Sequence, residues 1–203
     1  MDNQIFKAGD IFGLRYSGFF GAIASRIFEP KTDRYHFGII GPYNELFDDY
    51  PIVESNMYGF LAKGVCHGWL SQYKGADIEV YEVPEEQQYL GDLVYWNTLN
   101  FQRVLYDVGL FFKIPISLLR AYYKQIFFEH RFRRIEAAEL IYVRNKKFVC
   151  TEMANEAWWT FDYPIVQKGV TAIPSEFKRA VLTGRIKMIY KGNLTDVFTE
   201  VSL

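Results

Sequence analysis

Polar and apolar side chains alternate through Asp77-Ile78-Glu79-Val80-Tyr81-Glu82-Val83-Pro84. A period of two suits a pleated strand and cannot line one face of a helix. The segment therefore reads as a half-buried strand, whose backbone N–H and C=O groups require neighbours. Two other segments offer them. Tyr35-His36-Phe37-Gly38-Ile39-Ile40 is β-branched and aromatic and stops at Gly41-Pro42, a turn signal. Pro51-Ile52-Val53-Glu54-Ser55 follows a polar loop. These three strands are expected to make the centre of a sheet. Gly9-Asp10 ahead of Ile11-Phe12-Gly13-Leu14-Arg15 reads as a turn and a short strand, and Ile186-Lys187-Met188-Ile189-Tyr190 as a closing strand.

Helical patterns fill the rest. Residues 19–28 read as a short helix stopped by Pro30. From 86 to about 112, Leu90, Leu93, Val94, Phe101, Leu105 and Val108 fall roughly on one helical face. A second helical stretch, 114–134, is dense in aromatics and ends in Arg131, Arg133 and Arg134. A third begins at Cys150, where Thr151 and Glu152 lead into Met153, Ala154, Ala157 and Trp158. Strands, then helices, then a late strand predict an α+β fold. No repeat, low-complexity tract or linker divides the 203 residues, so a single domain, 1–203, is expected.

Composition narrows the function. Half of the residues are hydrophobic and 18% aromatic, which supplies a core and excludes a disordered chain. A net charge of -1 gives no global attraction to nucleic acid. Cys66 and Cys150 are too few for a disulfide scaffold, and a single bridge between them is the bland reading. His36, His67, His130 and the cysteines show no zinc-ligand spacing, and no Gly-rich phosphate loop is present. Neither a metal nor a nucleotide cofactor is expected. The N-terminus has no cationic start and no run is apolar enough to span a bilayer. A soluble chain made in the cytoplasm is expected, reaching the outside only by another route such as a phage or viral particle.

Cys150 stands where a loop or strand enters a helix, in Lys147-Phe148-Val149-Cys150-Thr151-Glu152. Unpaired N–H groups and the helix dipole favour a thiolate there, although a lone cysteine is more often a small buried hydrophobe. Cys66 lies beside His67 in a Gly-rich stretch, 64–68, that reads as a loop without a helix, and is taken as structural. A thiolate nucleophile needs a base within hydrogen-bond reach, and the base needs a group to hold its ring. His36 and Glu54 lie on neighbouring predicted strands that could set them side by side. His36 alone would suit a core histidine and Glu54 alone a solvated edge. A carboxylate inside Ile-Val-Glu-Ser is costly to bury without a partner.

An ordered set of segments resembles the circularly permuted branch of the NlpC/P60 superfamily, the YiiX-like group, related distantly to lecithin retinol acyltransferase. It comprises Gly9-Asp10-Ile11-Phe12, His36-Phe37-Gly38-Ile39-Ile40, Ile52-Val53-Glu54-Ser55, Gly64-Val65 with Trp69, Val80-Tyr81-Glu82-Val83-Pro84, Tyr106-Asp107, Phe148-Val149-Cys150-Thr151-Glu152 and Ile173-Pro174-Ser175-Glu176-Phe177. The resemblance implies a permuted papain-like fold, with a central antiparallel sheet against helices and the histidine strand ahead of the cysteine helix. It implies Cys150 as nucleophile, His36 as base and Glu54 as the third polar residue of a cysteine peptidase or amidase, acting on a peptide or acyl-amide substrate such as a cell-wall peptide. Tyr16 and Tyr106 are candidates to line the pocket, with packing as their alternative. An acyl hydrolase or transferase on lipid, and an inactive binding or particle component, are the competing readings. The chain departs from the pattern in a helical insertion at about 110–138, whose 114–134 stretch offers a face to a membrane surface or a protein, or packs as an added helix with a solvated basic end.

Overall fold

A computed structural model describes residues 4–15, 36–58, 61–101, 104, 116–117, 119–129, 149–167, 170 and 172–199. The fold is α+β. Strands β1 (Ile11–Leu14), β2 (His36–Ile40), β3 (Pro51–Tyr58), β4 (Leu61–Trp69), β5 (Asp77–Glu82) and β6 (Lys187–Asn193) form one antiparallel sheet in the order β4-β3-β2-β1-β5-β6. The four-residue β1, not a β2-β3-β5 trio, joins the two halves. It pairs with β2 on one side and β5 on the other, so β5 never touches β3.

A short strand holds that place because its start is fixed by close packing. Gly9 adopts φ +87° in a turn closed by the Asp10 N–H to the Lys7 carbonyl at 3.2 Å. The Asp10 carboxylate accepts the Lys7 N–H at 2.8 Å. The Gly9 N–H then reaches the Ile40 carbonyl, and the Ile40 N–H the Asp10 carbonyl, each at 2.8 Å. Behind the turn stands Gly91, at the head of the Gly91–Asn97 helix, and the Trp158 indole N–H donates to the Gly9 carbonyl at 3.1 Å.

Both faces of the sheet are covered. On one, Ile11, Phe37, Ile39, Val53 and Tyr81 pack with Met153, Ala154, Ala157 and Trp158 of the Cys150–Trp159 helix and Phe177 and Ala180 of the Pro174–Leu182 helix. On the other, Phe12, Leu14, Ile40, Ile52, Ile78 and Val80 pack with Phe6, Tyr50, Leu70, and Leu194 and Val197 of the Leu194–Thr199 helix. Each such side chain contributes about 1.5–3 kcal/mol relative to exposure. Double coverage corrects the half-buried reading of β5, whose Ile78 to Tyr81 are all buried, Glu79 included.

The expected helix from 86 breaks into Glu85–Gln88, Gly91–Asn97 and a 3-10 turn, Thr98–Phe101. Val94 is buried there but Leu93 is exposed, while Leu105 and Val108 lie outside the described residues. The expected helix over 19–28 and the basic cluster Arg131, Arg133 and Arg134 also lie outside them. Among the described residues no helix is long and apolar enough to cross a membrane.

A Cβ on Gly91 would sit 1.9 Å from the Ala8 carbonyl oxygen, a backbone atom that cannot swing aside. Gly91→Ala is therefore expected to destabilise the chain by about 1–3 kcal/mol through overpacking, read as a lower urea midpoint. An unchanged midpoint would contradict the proposed lock on β1.

Candidate active site

Phe12 on β1, Gly38 on β2, Glu54 on β3 and Cys66 on β4 stand opposite one another in a single row across the sheet. His36 lies two residues from Gly38 and so shares its face. His36 and Glu54 are thus diagonal neighbours, and their side chains meet with Nε2 2.7 Å from Oε2. Gly38 leaves the room between them. A Cβ there would lie 2.5 Å from the Phe12 ring, which occupies that space and stands edge-on to the imidazole at a centroid distance of 6.4 Å.

Glu54 is 3% exposed and His36 5%. A carboxylate so deep persists only where donors replace its lost water. The Tyr73 hydroxyl donates to Oε2 at 2.5 Å, and the Asn56 amide donates to Oε1 at 3.1 Å. Tyr73 ends the 3-10 turn Leu70–Tyr73 that follows β4. That turn is pinned by the Leu70 N–H on the Tyr50 carbonyl at 2.8 Å and the Ser71 N–H on Asp49 Oδ1 at 3.2 Å.

Cys150 is the first residue of its helix, after Val149 in extended conformation. The Glu152 carboxylate accepts the Val149 N–H at 3.1 Å, and the Thr151 hydroxyl donates to the Ala172 carbonyl. A valine side chain has no oxygen to cap the first turn, so the N–H groups of that turn have no side-chain acceptor from the N-cap residue. The helix packs against β2 and β3, and Cys150 hydrogen-bonds to His36. Glu54 occupies Nε2, which leaves Nδ1 as the ring's other hydrogen-bonding atom.

Burial alone would lower the His36 pKa, but hydrogen bonds to Cys150 and Glu54 and the electrostatic pull of both overcome it and push it up to about 10. For Glu54, burial pulls upward and is outweighed by the His36 bond and charge, then by Tyr73 and Asn56, so its pKa falls below the ordinary value. His36 is thus held as imidazolium through neutral pH. A histidine raised from 6.5 to about 10 contributes stability in full below pH 6.5, which fades as pH rises through 10.

The structure thus brings Cys150, His36 and Glu54 together from three elements. Tyr16 and Tyr106 lie outside the described residues. Cys66 is not in a loop but within β4, its Sγ 4.0 Å from Glu54 Oε1, and neither cysteine forms a disulfide. Two residues of the site carried no expectation. Asn56 was readable, since it follows Glu54 by two on one strand and must share its face. Tyr73 arrives through a turn and has no local signal. Among the described residues, no three His, Cys, Asp or Glu side chains are grouped to hold a metal ion. No protein-family model and no curated protein matches the chain.

In 15N spectra His36 is expected to stay doubly protonated near pH 8, where an ordinary imidazole of pKa about 6.5 is neutral. Glu54→Gln is expected to lower its titration strongly and Tyr73→Phe more weakly. Titration of the wild-type ring near its ordinary value would contradict the buried ion pair.

Proposed function

We propose that this chain is a cysteine hydrolase that cleaves amide bonds, built on a circularly permuted papain-like fold of the NlpC/P60 type. The carrying observation is the continuous hydrogen-bonded line from Cys150 through His36 to Glu54. A histidine kept only for packing would need one partner, not a thiol at a helix start on one nitrogen and a buried carboxylate on the other. The strand bearing the base precedes the helix bearing the nucleophile, as the permuted arrangement requires.

In this reading the Cys150 sulfur attacks the amide carbon, and the carbonyl electron pair moves onto oxygen. Backbone N–H groups of the first helical turn stabilise that oxyanion. The tetrahedral centre collapses as the C–N bond breaks, and the His36 Nδ1 proton passes to the departing amine. Water then attacks the thioester, giving one proton to His36 while the C–S bond breaks and releases the acid. Glu54 fixes the ring through Nε2 and favours its charged form throughout. Tyr73 and Asn56 position Glu54 and do not touch substrate. The substrate class is a peptide or acyl amide, with cell-wall peptides bearing D-residues or γ-glutamyl links as the first to try.

Turnover of such peptides is expected to vanish in Cys150→Ala and to fall about 10²- to 10⁴-fold in kcat for Glu54→Gln. A substrate-derived thioester on Cys150 should appear by mass spectrometry of the quenched wild-type enzyme. Activity that survives Cys150→Ala would exclude the proposal.

A further inference from the structure

Residues 119–124 are α-helical and continue into a π-helical turn, Gln125–Glu129, with 116–117 also helical. Large apolar side chains of this helix stand on the solvent side. At 3.6 residues per turn, Ser117, Ala121 and Gln125 follow one line along it, with Ser117 and Ala121 half-buried and Gln125 9% exposed. The opposite line, Ile116, Leu119, Tyr123, Ile126 and Phe127, faces outward, with Leu119 at 71% and Phe127 at 59% exposure. Arg120 and Lys124 are exposed along one flank of it. An ordinary surface helix hides its apolar stripe and wets its polar one. Isolated exposed apolar residues need no explanation, but five in one stripe mark an interaction surface.

Charge selects the occupant. Residues 114–134 carry Arg120, Lys124, Arg131, Arg133 and Arg134 against Glu129 alone, in a chain whose net charge is -1. A second copy of this face would bring only the same cations and offer them no counter-charge. Aliphatic and aromatic residues beside cations suit the boundary between acyl chains and anionic headgroups.

We propose that the outward face carrying Ile116, Leu119, Tyr123, Ile126 and Phe127 docks the protein on an anionic lipid surface, with Leu119, Tyr123, Ile126 and Phe127 entering the headgroup region and Arg120 and Lys124 meeting its charge. This is independent of the amide chemistry and adds a place of action to it.

The test is co-sedimentation of the full chain with phosphatidylcholine vesicles, with and without about one-third phosphatidylglycerol. Binding to the anionic vesicles is expected, weaker on neutral ones and falling with added salt. Leu119→Glu with Phe127→Glu is expected to reduce it at least tenfold, with thermal unfolding unchanged because both side chains are already exposed. Arg120→Glu with Lys124→Glu tests the charge term alone and is expected to weaken anionic binding while leaving neutral binding as it was. No binding to either vesicle overturns the proposal, as does equal binding by wild type and both variants. A doubled molar mass in light scattering that Leu119→Glu with Phe127→Glu abolishes also overturns it, assigning the face to a second copy.

Discussion

The structure turns on one carboxylate buried in a sheet. Glu54 sits between Val53 and Ser55 on β3, at 3% exposure, where an uncompensated charge would cost several kcal/mol. Three nitrogen and oxygen donors make the position tenable, beside the weaker Cys66 thiol: the His36 ring, the Tyr73 hydroxyl and the Asn56 amide. Each constrains a different part of the chain. His36 ties β2 to β3 in a fixed register, Asn56 fixes the alternation of β3 past its first half, and Tyr73 requires the turn after β4 to fold back over the sheet. A one-residue slip of β2 against β3 would send His36 to the opposite face and strand the charge.

Packing around this pair gives the site its rigidity. The absence of a side chain at Gly38 and the Phe12 ring that takes its place hold the imidazole from the side, while the carboxylate holds it end-on. Cys150 arrives on a helix whose start is tied down by Glu152 and Thr151. Side chains supported in this way by regular elements are held in one geometry.

Much of this was legible in the sequence, and the exceptions have physical reasons. The helix start at Cys150 and the strand positions of His36 and Glu54 follow from local pattern, because patterning reports the face a residue occupies. Strand order does not follow, since pairing is non-local: four residues at Ile11–Leu14 carry no mark of a central strand, and their place depends on the contact of Gly9 with Gly91. Gly64 and Gly68 suggested a loop around Cys66. Instead Gly64 takes φ +82° opposite Asn56, where the β3-β4 register shifts, and a Cβ on Gly68 would come within 2.7 Å of Gln72. These glycines serve a bulge and a close approach inside a strand, roles that sequence alone does not separate from a turn. Tyr73 was invisible for the same non-local reason.

The most direct measurement of the central claim, that His36 activates Cys150, is alkylation of the native chain by iodoacetamide across pH, read at each cysteine by mass spectrometry. Cys66, more exposed than Cys150, is the internal control. Near pH 6, more than two units below the ordinary thiol pKa of about 8.5, Cys150 is expected to label faster than Cys66 despite its burial, and His36→Ala to remove the advantage. If Cys150 labels no faster than Cys66 at any pH, or if His36→Ala leaves its rate unchanged, the thiol is not activated by the histidine and the hydrolase account fails.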